Sequence, residues 1–194
     1  MGYALAESCA SRGAEVILVS GPVDLEMDHP RVNIVRVVSA DQMYQKCIRS
    51  FKKCDAAIMS AAVADFTPVT SFQHKIKRTK NKLSIELKPT KDIAAGLGQN
   101  KKINQVLVGF ALESDDENRN AFKKIKKKNL DFIVLNSLRD QGAGFGEETN
   151  KITIIDKHNN IQEFELKTKR EVAEDIVDEL ERWLDDKKKA KAWA

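Results

Sequence analysis

The chain has little from which a disulfide framework or a zinc site could be built. Its 3 cysteines, Cys9, Cys47 and Cys54, form an odd, sparse set without CxxC spacing. Reduced, mostly packed thiols in a cytoplasm are the expected state. The 3 histidines, His29, His74 and His158, are scattered, with no HExxH pair. No apolar run approaches the roughly 20 residues that a membrane helix needs. A basic stretch followed by an apolar one is missing at the N-terminus, which argues against a signal peptide. A cytoplasmic location without a membrane partner is therefore expected. Charge of one sign is also scarce: 33 Lys and Arg against 29 Asp and Glu leave a net charge of +4. That excess is too mild to argue for nucleic acid. There is no GxxxxGK[ST] and no GxSxG, which excludes a P-loop enzyme and a nucleophile elbow. Tyr44 is followed at four residues by Ile48, and Tyr3 by Glu7, so neither gives the Tyr–Lys pair of a short-chain dehydrogenase.

What remains is a chain of 194 residues, 42% hydrophobic and 32% charged, enough for one sizeable domain over residues 1–194. "MGYALAESCASRG" reads as a helix at once, with Tyr3, Ala4, Leu5, Cys9 and Ala10 as its apolar stripe and Gly13 at the C′ position. "AEVILVSGP" and "VNIVRVV" read as strands, and Ser39 to Gln42 as a capping box opening a helix to about Phe51. The next strand runs from Ala56 to Ser60. "FQHKIKR" and "LSIELK" are expected to be short strands of a lysine-rich flap around "TKNK". "KDIAAGLG" is a short helix, "NQVLVGFALE" a buried strand, Glu117 to Lys128 a helix and "DFIVLNS" a strand. A glycine-rich loop, "RDQGAGFGEETN", precedes a hairpin of "KITIID" and "IQEFEL". Thr168 to Glu171 is a second capping box, opening a last helix that frays into "DDKKKAKAWA".

Strands alternating with helices imply an α/β fold: a Rossmann-like three-layer sandwich with a mostly parallel sheet and helices on both faces. In such a domain a first strand and its glycine-rich turn precede the first helix. Here a helix begins at residue 1, so that strand is expected to be missing, with Met1-Gly2 the end of the phosphate-binding turn.

Candidate functional residues gather at expected strand ends. In "SAAVADFTPV" the small residues Ser60, Ala61 and Ala62 let a ligand approach the backbone, and Asp65 either contacts that ligand or caps its own turn. In "HKIKR", Lys75 and Lys77 share one face of a strand. They suit either a phosphate or a charged edge that resists aggregation. Lys124 and Lys128 share a helix face four residues apart. Either an anion lies between them or they simply suit the helix dipole. Ala121, Phe122 and Ile125 form the buried stripe of that helix. Phe110, ending a buried strand with Glu113, either stacks on a base or belongs to the core.

Taken in order, "MGYALAE…RGAEVILVSGPV", "SAAVADFTP", "KIKR", "VGFALES", "NLDFIVLN" and "GFGEETNKITII" resemble phosphopantothenoylcysteine synthetase from Met1 to about Leu184. This is the C-terminal half of a bifunctional bacterial flavoprotein of coenzyme A biosynthesis. The resemblance implies a ligase that activates the carboxylate of 4′-phosphopantothenate with CTP and Mg²⁺. An acyl-cytidylate and pyrophosphate form, and the amine of L-cysteine displaces CMP. It further implies a homodimer whose flap helps to complete the sites. By position, Met59, Ser60 and Ala61 match backbone that meets the nucleotide, and Asp65 matches an acid that contacts it. Lys75 matches a catalytic flap lysine that also binds nucleotide. Lys91, Asp92, Ile93 and Ala94 match a CTP-contacting stretch that is usually "PDI". Phe110, Lys124 and Lys128 match nucleotide-binding residues. No metal ligand is assigned.

The family's asparagine and its serine-glycine turn before "MG" match nothing here, and impaired catalysis is expected of these residues as numbered. The flavin half of the fused enzyme is likewise unmatched, so FMN chemistry is not expected. A separate or fused flavin-dependent decarboxylase would be a partner. Two rivals remain: a truncated CTP-binding or dimerisation module, and a nucleotide-sugar or NAD-binding Rossmann protein with fold-level support alone.

Overall fold

The computed structural model describes residues 1–70, 72, 74–75, 83–113, 117–137 and 148–192. The elements in chain order are α1 (Gly2–Ser11), β1 (Val16–Ser20), β2 (Val32–Arg36), α2 (Ala40–Phe51) and β3 (Ala56–Met59). β4 (Phe66–Pro68), β5 (Leu87–Pro89), α3 (Ile93–Asn100), β6 (Val106–Glu113), α4 (Glu117–Lys128) and β7 (Phe132–Ser137) follow. The chain ends with β8 (Thr149–Asn150), β9 (Ile152–Asp156), β10 (Ile161–Glu163), β11 (Lys167–Thr168) and α5 (Lys169–Ala192).

The central sheet has five strands in the order β10-β9-β7-β6-β3. β3, β6 and β7 are parallel, and β9 and β10 return antiparallel. Side chains alternate across it with period two. Val106, Val108, Phe132, Val134, Ile152 and Ile154 pack on one face with Leu5 of α1 and Val172, Ala173, Ile176 and Val177 of α5. Leu107, Ile133, Leu135 and Ile155 pack on the other with Met43, Phe51, Leu97, Ala121 and Ile125 from α2, α3 and α4. Helices on both faces are thus as expected. Each fully buried valine, leucine, isoleucine or phenylalanine among them contributes about 1.5–3 kcal/mol.

Local signals act as their chemistry dictates. The Ser39 hydroxyl accepts from the Gln42 N–H at 3.2 Å, while the Gln42 side chain accepts from Val38 N–H rather than Ser39 N–H. Thr168 and Glu171 form the full reciprocal box, with the Glu171 carboxylate accepting from the Thr168 N–H at 2.9 Å. Gly13 has φ +95°, the left-handed conformation that a C′ glycine adopts without steric cost.

Several expectations change. β1 and β2 form their own two-stranded parallel sheet, separate from the five-stranded one. The flap is rooted in an antiparallel ladder between Phe66–Pro68 and Leu87–Pro89. Of "LSIELK", only Leu87 and Lys88 are strand, paired with Pro68 and Thr67, and the Val69 N–H donates to the Glu86 carbonyl beside them. Phe72, His74 and Lys75 are irregular, and Lys77 with the rest of "KIKR" lies outside the described residues. Most of the glycine-rich loop does too, but its end forms β8, paired with β11. The buried face of α1 is Leu5, Ala6, Ser8 and Ala10, with Tyr3, Ala4 and Cys9 at its margin. On α4, Phe122 is half-buried beside buried Ala121 and Ile125. β3 ends at Met59, not Ser60. The last helix does not fray at Asp185 but continues to Ala192.

Below the sheet, the buried Asp131 carboxylate gathers three ammonium groups: Lys101 at 2.8 Å, Lys157 at 3.0 Å and Lys187 at 3.1 Å. It also accepts from the Leu107 N–H. Burial opposes its ionisation most strongly, yet Lys101, the Leu107 amide and Lys157 together hold it below the usual carboxylate range. Lys101 is itself drawn below its usual value, first by burial and then by Lys187 and Lys157, since three cations share one anion. This hub ties α5, α3 and the hairpin to the edge of the sheet opposite the candidate site. The three cysteines are free. Burial pushes the Cys9 and Cys47 thiols up to about 11, so both are neutral near pH 7. Among the described residues no helix is long and apolar enough to cross a membrane.

Candidate functional site

Parallel strands deliver their C-terminal ends to one edge, where open α/β sheets bind ligands. Two clefts of about 190 and 240 Å³ open there, side by side. The first lies between the ends of β3 and β6, the start of α3 and the end of α4. Met59, Ala61, Asp65, Lys91, Asp92, Ile93, Ala94, Phe110, Lys124 and Lys128 all line it. Ser60 faces the second cleft, and Ala61 and Phe110 form a wall common to both. Lys75 is exposed and lines neither cleft.

The Asp65 loop is pinned by Thr90, which sequence reasoning missed. The Thr90 N–H donates to the Asp65 carbonyl at 2.8 Å and the Thr90 hydroxyl to the Ala64 carbonyl at 2.7 Å. These bonds fix the backbone and leave the Asp65 carboxylate exposed at the cleft. Two residues on, Asp92 is the N-cap of α3 and accepts from the Ala95 N–H at 3.0 Å. Lys128 reaches the same carboxylate at 2.9 Å. Partial burial opposes its charge, but the Ala95 amide and Lys128 outweigh it and hold Asp92 below the usual carboxylate range. Lys91 turns away toward α2, pairing with Asp41 at 2.8 Å and lying over the Tyr44 ring. The Asp41 bond raises its pKa.

The Lys128 backbone is held by close packing. A Cβ on Gly98 of α3 would fall 1.9 Å from the Lys128 carbonyl oxygen, so only glycine lets α3 and α4 meet here. Asn129 follows with φ 53° and donates its side-chain amide to the Gly98 carbonyl at 2.9 Å. Leu130, Ile133 and Gly109 complete the floor of the cleft.

The second cleft was foreseen at Met1, Gly2, Ser60, Ala61, Ala62 and Phe110. Asn136, Asn150 and Lys169 complete its polar lining. Asn150 is 2% exposed and donates to Asn136 Oδ1 at 3.2 Å. Its own Oδ1 has no hydrogen-bond partner among the described residues. An asparagine ending "DFIVLNS" was the available sequence signal for Asn136; nothing local marked Asn150.

Among the described residues no three His, Cys, Asp or Glu side chains are grouped to hold a metal ion. Magnesium, however, is usually held by one or two carboxylates together with substrate phosphates. Asp65, which lines the same cleft as Lys124 and Lys128, fits that pattern, so a metal arriving with a nucleotide is compatible with the donors present.

The chain is 60% identical over 177 residues to a prokaryotic protein named cysteine/cysteine sulfinic acid decarboxylase, covering 91% of this chain and 49% of that one. It is 44% identical over 180 residues to the coenzyme A biosynthesis bifunctional protein CoaBC of Bacillus subtilis, covering 93% of this chain and 44% of that one. The chain thus spans about half the length of these relatives. Its fold superposes on the crystallised C-terminal domain of a CoaBC protein with TM-score 0.77 and 37% identity, covering 95% of this chain and 82% of that domain. Residues 1–184 match the family described as DNA/pantothenate metabolism flavoprotein C-terminal domain, and the chain belongs to it.

Proposed function

We propose that this domain carries the ligase half-reaction of coenzyme A biosynthesis, joining 4′-phosphopantothenate to L-cysteine at the expense of CTP. The carrying observation is the pair of clefts meeting at Ala61 and Phe110. Activating a carboxylate with a nucleotide requires the α-phosphorus and the carboxylate to meet at one point. Two adjoining clefts, one lined by lysines and one by amides, supply that arrangement.

In this reading CTP lies in the first cleft, with its base near Phe110 and the strand end at Met59–Ala61. Lys124 and Lys128 face the triphosphate, and Asp65 would hold Mg²⁺, which would offset the charge of the phosphates. The acid occupies the second cleft, where Asn136 and Asn150 present amides and Lys169 an ammonium. Its carboxylate oxygen attacks the α-phosphorus, pyrophosphate leaves, and an acyl-cytidylate forms. The cysteine amine then attacks the acyl carbon and CMP leaves. Cations aimed at the phosphates stabilise the charge that develops. Lys75 is the catalytic lysine in this account, acting at a site of its own chain or of the second chain of a homodimer. The protein acts in the cytoplasm, fused to or associated with a flavin-dependent decarboxylase that takes the product onward.

The name of the 60% relative describes a protein of which this chain spans 49%. The lysine-lined strand edge favours nucleotide chemistry for the half present here. The test is a single-turnover reaction with labelled CTP, Mg²⁺ and 4′-phosphopantothenate, cysteine being withheld and then added. Pyrophosphate release followed by cysteine-dependent CMP release supports the reading. Absence of CTP binding by the chain and by a version extended before Met1 overturns it.

A further inference from the structure

On the face of the sheet covered by α1 and α5, the side chains change character at the ligand edge. Phe132 and Val134 of β7, with Ile152 and Ile154 of β9, belong to the buried cluster on that face. Period two then puts Asn136 on the face of Val134, and the antiparallel register sets it opposite Ile152. Asn150, two residues before Ile152, meets it across the strands: its Nδ2 donates to Asn136 Oδ1 at 3.2 Å. β8 is held in turn by β11, with Asn150 opposite Lys167 and the Lys169 N–H donating to the Glu148 carbonyl at 3.0 Å. An amide pair thus stands in the wall of the second cleft, which Lys169 also lines.

The two amides are not equivalent. Asn150 is 2% exposed, whereas Asn136 is half-buried. Burying an unpaired amide oxygen is unfavourable, and Asn150 Oδ1 has no partner among the described residues. A leucine would fill a similar volume without that cost. What the asparagine adds is its bond to Asn136. That bond sets which way the Asn136 amide points. With its oxygen turned to Asn150, its Nδ2–H groups are left for the cleft that Asn136 lines. An amide free to rotate would present oxygen or nitrogen there; a held one presents a donor.

We propose that Asn150 is a positioning residue for the acid substrate. It holds Asn136 so that the Asn136 Nδ2–H groups donate to an oxygen of the acid in the second cleft. Lys169 supplies charge there but little direction, because an ammonium rotates its three donors. The amide pair supplies the direction, and it disfavours any ligand that brings N–H groups to the same point. Asn150 itself touches no substrate. The inference rests on the ligase reading, which puts the acid in this cleft.

The test is a double-mutant cycle read by equilibrium binding. 4′-Phosphopantothenate is titrated calorimetrically into the chain saturated with Mg²⁺ and a CTP analogue. The analogue carries a methylene between its α and β phosphorus atoms, so no turnover occurs. Asn136→Ala is expected to weaken binding of the acid about tenfold, and Asn150→Leu about fivefold. In the Asn136→Ala background, Asn150→Leu is expected to cost nothing further, because it acts only through Asn136. Affinity for the CTP analogue should be the same in all four proteins. Where the leucine variant does not fold, Asn150→Ala carries the same comparison. Unchanged acid affinity in Asn150→Leu overturns the inference. So does an equal loss with and without the Asn136 side chain, or a matching loss of affinity for the analogue. A parent chain that binds the analogue but not the acid overturns this inference alone; one that binds neither overturns the ligase reading with it.

Discussion

Lys128 closes α4 with its ammonium 2.9 Å from the carboxylate of Asp92, the residue that caps the start of α3. The pair joins two helices that flank the first cleft. A triphosphate between the helices would compete with Asp92 for this lysine. The exposed carboxylate can release it at small cost, since partly exposed pairs contribute about 0–1 kcal/mol. Lys128→Ala is therefore expected to raise the KM for the nucleotide about tenfold, roughly 1.4 kcal/mol. The melting temperature should shift by less than about 2 °C. Unchanged nucleotide affinity in a folded Lys128→Ala protein would remove the lysine from the site.

Asp65 separates function from stability in the same way. Its backbone is fixed by Thr90, and its carboxylate is exposed at the cleft. Asp65→Asn should leave thermal unfolding unchanged while weakening magnesium-nucleotide binding about tenfold or more, the scale of a lost charge-assisted contact. Titration calorimetry with and without Mg²⁺ checks this. A loss that is the same in both conditions would argue against a metal-linked role.

Gly98→Ala should act on both. The added methyl meets the Lys128 carbonyl at 1.9 Å, and neither backbone can yield without separating α3 from α4. A loss of about 1–3 kcal/mol in stability is expected from such overpacking. The nucleotide KM should rise with it, because Lys128 moves with its backbone. Urea unfolding and steady-state kinetics on the same preparation measure the two effects.

Asp131 governs acid sensitivity. Its carboxyl is held below the usual range in the folded chain. Its contribution is therefore complete above the unfolded value of about 3.9 and is lost as pH falls through the lower native value. Asp131→Asn leaves three ammonium groups around a neutral amide. A cost of about 3 kcal/mol or more is expected near neutral pH. The gap between parent and variant should narrow in acid, as comparison of urea midpoints at about pH 7 and about pH 3 would show.

The sequence displays most of what local chemistry decides. Ser39 and Thr168 mark their helices, Gly13 marks the end of α1, and the apolar runs of β6 and β7 mark the core. Ten of the twelve nominated residues line one cleft, because strand ends and helix ends converge there by topology. Long-range pairing was not legible. Leu87 and Lys88 of "LSIELK" pair with Pro68 and Thr67, and no local pattern in the sequence announces that ladder. Asn150 was hidden for the same reason: its position in the second cleft depends on β8 pairing with β11. Lys91 illustrates a competing local contact, since Asp41 and Tyr44 draw its side chain toward α2.

The central claim is that the acid is activated on the α-phosphorus of CTP, in the cleft walled by Ala61 and Phe110. The most direct measurement uses 4′-phosphopantothenate with heavy oxygen in its carboxylate, together with CTP, Mg²⁺ and cysteine. Mass spectrometry then follows the label. The account predicts one heavy oxygen in the CMP released, carried there through the acyl-cytidylate. Heavy oxygen in orthophosphate, or ligation without labelled CMP, would contradict it.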